Sequence, residues 1–288
     1  MKRQKTGGVA GVPSAGPILS EDGACPNRGF AATSIAAIAA LALVALVQPA
    51  AHAQEPTDLA RLVAAYPDFL DRIDGNFLVW KDGTRMAIDD GKGAKDHENR
   101  LATSDIEDMF TQSYVAGKPA SHPARNEDPG RARNAALFDK MYGNCKTGGV
   151  AGNLVDIVWL PKKWGKPLKV SRINGVAEKL KAISAELDAL PASFDVYLKP
   201  PAGTYNCRAI AGTNRVSAHG HGIAVDIAIG RAHYWQWDGG KPGAVRGYRN
   251  AIPYEIVEVF ERHGFIWGGK WYHYDTMHFE YRPELLAK

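Results

Sequence analysis

A single carboxylate, Asp226, stands in the middle of the apolar run GIAVDIAI at residues 222–229. In a β-strand, alternation places the larger aliphatic residues on one face, namely Ile223, Val225, Ile227 and Ile229. Asp226 falls on the other face, where the residues two positions away are alanines. A buried carboxylate without a partner is costly, and the small neighbours leave space for an ion. Either the fold brings a strong partner to Asp226, or the run is not a buried strand.

The rest of the chain indicates the α+β class, with a small, mostly antiparallel sheet and flanking helices. Its 288 residues are 45% hydrophobic and 23% charged, which is enough apolar material for a core. The predicted strands and helices alternate without a βαβ rhythm, and the sequence has no glycine-rich phosphate loop. The net charge of +4 is small, and no basic run is interleaved with aromatic residues, so nucleic-acid binding is not predicted.

Hydrophobic periodicity and capping residues predict the individual elements. Strands or extended segments are predicted at 77–80, 84–88, 154–161, 193–200, 204–211, 222–229, 265–269 and 277–283. Helices are predicted at 57–71, 134–143, 174–190 and 253–264, with Asn174 as the N-cap of the third.

The amino-terminal segment is typical of an export signal. Basic residues precede an apolar run from Ile35 to Val47, and Ala51-His52-Ala53 fits the small-x-small rule for cleavage. We expect cleavage after Ala53, a periplasmic or secreted location, and no membrane span in the remaining chain. An uncleaved anchor is the alternative, although the run is short for a span.

Two cysteines, Cys145 and Cys207, remain after this cut. Two thiols in an exported protein usually form a disulfide, because the environment is oxidising. In the chain-entropy treatment, a bond across such a loop stabilises the fold by roughly 4 kcal/mol. The alternative is two free buried cysteines. Cysteine ligation of a metal is not predicted, because the sequence has no CxxC pair.

Histidines on both sides of Asp226 make it a candidate metal ligand. His219 lies seven residues before it, with His221 as an alternative that spacing alone leaves open, and Asp275 and His278 follow three residues apart. Catalytic zinc takes three protein ligands and keeps a fourth position for water. His219, Asp226 and His278 supply three ligands. Asp275 can then accept the proton of a water whose pKa zinc lowers.

These residues resemble two motifs of the zinc D-alanyl-D-alanine carboxypeptidase family, which includes phage L-alanyl-D-glutamate endolysins. The first motif, S-x-H-x-x-G-x-A-x-D, is complete in Ser217, His219, Gly222, Ala224 and Asp226. The second, D/E-x-x-H, is present as Asp275 and His278 in WGGKWYHYDTMHFE. The resemblance covers about residues 203–286, and the aspartate at position 275 resembles the endolysin-like branch.

The resemblance implies a hedgehog or D,D-peptidase type of fold and a zinc-dependent cut in the stem peptides of peptidoglycan. It selects His219 over His221 as the ligand. It also implies that Arg208, in TYNCRAIAGTNR, contacts the substrate and stabilises developing negative charge. Ser217 is expected to hydrogen-bond the substrate or the motif's own loop. The scissile bond is either D-Ala-D-Ala or an internal bond such as L-Ala-D-Glu, and the residues favour neither.

The resulting organisation is a signal segment at 1–53, an extension at 54–200 packed on the catalytic unit, and a zinc peptidase core at 201–288. The sequence does not indicate an oligomeric state. A zinc-containing module that binds cell-wall peptides without cleaving them is the alternative function, although such a module has no need of Asp275. In a third interpretation, Asp226 pairs with an arginine such as Arg215, and the chain binds no metal.

Overall fold

The computed structural model describes residues 57–286, so the predicted signal segment lies outside the described residues. The helices are α1 (Asp58–Ala65), α2 (His97–Ala102), α3 (Ala135–Tyr142), α4 (Val176–Asp188), α5 (Asp195–Leu198) and α6 (Tyr254–Arg262). The strands are β1 (Leu70–Asp74), β2 (Phe77–Trp80), β3 (Arg85–Ala87), β4 (Leu154–Trp159), β5 (Lys166–Ser171), β6 (Ala224–Asp226), β7 (Phe265–Trp267) and β8 (His278–Tyr281).

The strands form small antiparallel sheets, as the α+β prediction requires. The sheet orders are β1-β2-β3, β4-β5 and β6-β8-β7, and every pairing between these strands is antiparallel. Among residues 57–286, no helix is long and apolar enough to cross a membrane.

The sheet β6-β8-β7 brings together two residues that are far apart in the sequence. Its register places Asp226, the last residue of β6, opposite His278, the first residue of β8. Directly opposed residues of an antiparallel pair project from the same face at close range. The alternate positions Ile223, Val225 and Ile227 are fully buried in the hydrophobic core, as predicted. This register therefore fixes both the buried face and the opposite face, the candidate ligand face, which carries Asp226 and His278.

Two amphipathic helices support this sheet. Helix α6 packs on β7, and α4 packs on α6 and β4. The ring of Phe260 in α6 stacks on Phe279 in β8, with centroids 3.8 Å apart. The predicted apolar stripe of α4 is fully buried at Leu180, Ile183 and Leu187. Burial of each such side chain contributes about 1.5–3 kcal/mol, so the helix is held mainly by this face.

Residues of the extension contact the carboxyl-terminal segment, 201–286, through buried polar groups as well as through the core. The hydroxyl of Tyr66 donates a hydrogen bond to Glu284 at 2.6 Å. The hydroxyl of Tyr114 donates to Glu261, also at 2.6 Å. A buried acceptor that loses its donor is destabilising by about 1–3 kcal/mol, so the carboxyl-terminal segment depends on the extension for its own stability.

A disulfide joins the same two parts of the chain. Cys145 and Cys207 are bonded, with their Cα atoms 5.6 Å apart. Cys145 lies in a short turn after α3, and Cys207 lies ten residues before the first residue of the S-x-H motif. The bond therefore ties the segment before the motif to the extension.

Replacing both cysteines with serine should lower the free energy of unfolding by about 4 kcal/mol, because the bond closes a loop with a sequence separation of 62 residues. Urea unfolding followed by tryptophan fluorescence measures the loss. Reduction of the unmodified protein serves as the control and should give the same decrease. If the free energy of unfolding falls by less than about 1 kcal/mol, the cross-link does not restrict the conformational entropy of the unfolded chain as the chain-entropy treatment assumes.

Two of the predicted extended segments are not strands. In place of the first, the chain forms a 3₁₀ turn, Ala192–Phe194, followed by α5. Asp195 and Lys199 make an ion pair at 3.0 Å, and their i, i+4 spacing brings them together on a helical turn but not along a strand. Residues 204–211 make only one isolated bridge, between Ala209 and Val216.

The prediction that Asn174 caps α4 is also wrong. Asn174 has φ of +53° and lies in a short turn, while Gly175, with φ of +70°, is the residue that precedes the helix. The prediction that Ile229 shares the buried face of the strand is wrong as well. Its side chain is 52% exposed, because β6 ends at Asp226 and the chain turns at Ile229–Arg231.

Candidate metal centre

Three side chains from two distant parts of the chain converge at the ligand face of β6 and β8. His219 Nε2 lies 3.1 Å from Asp226 Oδ1, and His278 Nδ1 lies 3.0 Å from the same oxygen. The two ring nitrogens are 3.2 Å apart. Two imidazoles and one carboxylate are a donor set that suits catalytic zinc.

A tight turn brings His219 to this face. The hydroxyl of Ser217 caps the turn Ala218–His221 by accepting a hydrogen bond from the His219 N–H at 3.4 Å. Gly222 follows with φ of +69°, and a Cβ there would lie 2.9 Å from the backbone nitrogen of Ser171. Only glycine fits this position, so the motif glycine sets the approach of His219 to the strand.

Each histidine has a second partner that fixes its orientation. His219 Nδ1 lies 2.6 Å from the carbonyl oxygen of Thr204, and His278 Nε2 lies 3.0 Å from Glu280. A carbonyl and a carboxylate accept hydrogen bonds, so these two nitrogens act as donors. The opposite nitrogens then face Asp226. This is the usual arrangement around histidines that bind a metal.

The charges in this cluster favour a cation beside Asp226. Burial raises the pKa of Asp226, but the charges and hydrogen bonds of His219 and His278 outweigh it and hold the pKa well below its usual range. Burial lowers the pKa of His278, but its bonds to Asp226 and Glu280 outweigh this and raise the pKa to about 10. A proton or a divalent cation can supply this positive charge.

Glu280 connects His278 to the extension. Its fully buried carboxylate accepts hydrogen bonds from Arg133 Nε at 2.9 Å and from Arg282 at 3.2 Å. Burial raises the pKa of Glu280, but Arg133 and His278 outweigh it and hold the pKa well below its usual range. Glu280 was not predicted, although its two-residue spacing from His278 on a strand places both side chains on one face.

Replacing Glu280 with glutamine should weaken zinc binding by about 10–100-fold, because the ring of His278 loses its charged acceptor. Competition with a chelating dye measures the affinity. Glu284→Gln is the matched control, since Glu284 is equally buried and also bonds Arg282 but does not contact His278. The control should lower stability and leave the affinity unchanged. Equal losses in both variants would show that Glu280 acts only through the fold.

A second carboxylate, that of Asp275, lines the cleft that contains this cluster. Its Oδ1 is buried and has no hydrogen-bond partner among the described residues. Burial and the negative charge of Asp226 raise the pKa of Asp275 to about 6. A buried carboxylate oxygen without a donor is unfavourable for folding, yet an acceptor with a pKa near neutrality suits a general base. This unpaired oxygen fits a site in which a water is held for reaction.

The cleft that contains this cluster has a volume of about 290 Å³. The predicted site residues that line it are Arg208, Ser217, Asp226, Asp275 and His278. His221 points elsewhere, with its Nε2 2.9 Å from Asp139 Oδ1. The structure therefore brings His219, and not His221, into the cluster.

The interpretation in which Arg215 neutralises Asp226 is wrong. The ion-pair partners of Asp226 in the described part of the chain are His219 and His278. Arg215 lines the same cleft without making an ion pair to Asp226.

A second His–Asp–His group, not predicted from the sequence, lies beside the cleft. His97 and His273 contact Asp128 at 2.7 Å and 2.6 Å. The other ring nitrogen of His273 accepts the N–H of Gly243 at 3.1 Å, and Arg131 also bonds Asp128 at 3.1 Å. Because Nε2 of His273 accepts a hydrogen bond, its Nδ1 carries the proton and donates a hydrogen bond to Asp128, so this nitrogen has no lone pair for a metal. The group joins the extension to the cleft wall and does not offer a second set of free ligands.

Residues 211–281 match the model of the D-alanyl-D-alanine carboxypeptidase family. The match covers less than half of the chain. It includes both motifs, whereas Arg208 lies just before it. No curated protein and no solved structure matches the chain. The match supports the family resemblance. It also supports the interpretation that the chain is a metallopeptidase that acts on peptidoglycan peptides.

Proposed function

We propose that the chain is a zinc peptidase that hydrolyses a peptide bond in the stem peptides of peptidoglycan. The observation that carries this proposal is the convergence of His219, Asp226 and His278, within the matched segment, beside the unpaired carboxylate of Asp275. The aspartate at position 275 favours the endolysin-like branch, and the small antiparallel sheet suits a hedgehog or D,D-peptidase type of fold. The disulfide suits a periplasmic or secreted location.

His219, Asp226 and His278 would hold the metal, with Thr204 and Glu280 orienting the two rings. When bound, zinc supplies a Lewis acid that lowers the pKa of a coordinated water and polarises the scissile carbonyl.

Asp275 accepts the proton of the attacking water and later donates it to the leaving amine. Its pKa of about 6 suits both steps, because the group is ionised at neutral pH and remains basic enough to accept a proton. Arg208, on the cleft wall, stabilises negative charge on the carbonyl oxygen. Ser217 binds the substrate backbone or holds its own turn.

The test is incubation of the chain from residue 54 with zinc and defined muropeptides, followed by mass analysis of the products. We expect one zinc per chain and hydrolysis of one bond, either D-Ala-D-Ala or an internal bond such as L-Ala-D-Glu. Removal of zinc by a chelator should abolish the activity, and added zinc should restore it. A zinc-loaded protein that binds these peptides without cleaving them would instead be a cell-wall binding module.

A further inference from the structure

Four arginines line the cleft of the metal centre: Arg131, Arg133, Arg208 and Arg215. Two of them, both from the extension, have anionic partners. Arg131 bonds Asp128, and Arg133 bonds Glu280. The remaining two belong to the segment that leads into the S-x-H motif. Neither of these two makes an ion pair with a described residue, so the cleft contains two guanidinium groups without a paired anion.

Arg215 is the most unusual of the four. It is half-buried, and its side chain makes no hydrogen bond or ion pair within residues 57–286. Burial and the charges of Arg133 and Arg131 lower the pKa of Arg215 to about 10. Glu280 attracts it, but that carboxylate is already bound by Arg133, Arg282 and His278. A half-buried guanidinium without a counter-charge loses part of its hydration and gains no ion pair in return, so the fold alone does not explain Arg215.

Arg215 lies between the cleft of the metal centre and a second cavity. Beyond the cleft lies a second cavity of about 710 Å³, walled on one side by α2 and on the other by residues 210–215. Arg131, Arg215, Tyr234 and His273 line both cavities. Arg215 therefore stands where the cleft of the metal centre opens into the larger cavity, and Arg131 lies on the same boundary.

We propose that Arg215, assisted by Arg131, forms a subsite that binds a carboxylate of the substrate next to the metal centre. This inference rests on the proposed function for the identity of the substrate. A guanidinium presents two parallel N–H donors that match a carboxylate, and such charge-assisted pairs are among the strongest hydrogen bonds. Arg131 is held in place by Asp128 and by the ring of Trp271, 5.6 Å from its guanidinium.

Two carboxylates of a stem peptide could occupy this subsite. One is the carboxyl terminus of a D-Ala-D-Ala end, and the other is the free carboxylate of the D-glutamyl residue inside the peptide. The larger cavity beyond Arg215 has room for further residues, which an internal carboxylate requires. The chemistry is the same in both cases, and matched amides distinguish them.

The experiment uses two pairs of peptides with the chain from residue 54. The first pair is N-acetylated Lys-D-Ala-D-Ala and its carboxyl-terminal amide. The second is L-Ala-γ-D-Glu-L-Lys and the same peptide with the D-glutamyl carboxylate amidated. Calorimetry measures binding in an Asp275→Asn background, so that the affinity is obtained without turnover. Arg215→Gln, Arg215→Lys and the exposed control Arg172→Gln are compared, since Arg172 lines neither cavity.

We expect Arg215→Gln to raise the Kd of one acid peptide at least about tenfold and that of its amide less than about twofold. Arg215→Lys should retain part of the affinity, and Arg172→Gln should retain all of it. The peptide pair in which Arg215→Gln weakens binding of the acid more than that of the amide identifies which carboxylate the subsite binds. Equal losses for acid and amide, no loss for either, or no binding of any of the four peptides would overturn the subsite. If the unmodified protein cleaves nothing but acid binding depends on Arg215, the subsite stands and the peptidase proposal fails.

Discussion

Replacing Asp275 with asparagine should lower kcat by about 10²–10⁴-fold while the zinc content stays at one per chain. The amide has nearly the shape of the carboxylate but cannot take a proton at neutral pH. Asp275 is not part of the cluster of His219, Asp226 and His278, so the variant should keep its metal. Turnover of the muropeptide that the unmodified protein cleaves, together with elemental analysis, measures both effects. Unchanged turnover would remove Asp275 from the mechanism.

The pH dependence provides a second measurement on the same residue. A general base acts when it is ionised, and the pKa of Asp275 is raised to about 6 by burial and by Asp226. The kcat/KM of the unmodified protein should therefore rise as the pH increases through about 6, or somewhat lower where the metal's charge favours the ionised form. This limb should be absent in Asp275→Asn.

The same substitution should stabilise the metal-free protein at pH 7, which loss of a structural group would not do. A carboxyl whose pKa is higher in the folded than in the unfolded state opposes folding above its unfolded pKa, and the effect is complete above the folded value of about 6. The gain in Tm from Asp275→Asn should therefore be largest at pH 7 and vanish below about pH 4. A lower Tm at pH 7 would show that Asp275 supports the fold.

The convergence of His219, Asp226 and His278 could be predicted from the sequence because local patterns specify it. Strand alternation places Asp226 on the face opposite the core, and the glycine at 222 permits the turn that carries His219. His278 then reaches Asp226 once its segment pairs antiparallel with the strand that carries Asp226, as the register shows. Each of these steps depends on residues within a few positions of one another or on one strand pair.

The arginines of the extension could not be predicted in the same way. Arg131 and Arg133 lie within the Pro/Gly-rich stretch at 117–134, which has no periodicity, so no local pattern indicates which way they point. Their partners are set by tertiary packing, as the bond between Arg133 and Glu280, 147 positions apart, illustrates. The electrostatic environment of the cleft is therefore a property of the whole fold, whereas the candidate metal ligands lie in two short motifs.

Replacing His219 with alanine should weaken zinc binding by more than about 100-fold, beyond the loss expected from removing an orienting partner. The variant keeps one imidazole and one carboxylate, and two ligands do not complete a catalytic zinc site. His221→Ala is the matched control, because His221 lies two residues away, is equally buried and bonds Asp139 instead of the cluster. That variant should lose some stability and keep its zinc.

Equilibrium dialysis against a zinc buffer, with thermal unfolding of each loaded protein, measures both effects. Binding of zinc only to the folded state raises Tm, so added zinc should stabilise His221→Ala and leave His219→Ala unchanged. The opposite pattern would place His221 in the metal site and would contradict the geometry, in which His219 Nε2 lies 3.2 Å from His278 Nδ1. Zinc binding by both variants as tight as that of the unmodified protein would show that neither imidazole holds the metal, and the mechanism would then lose its premise.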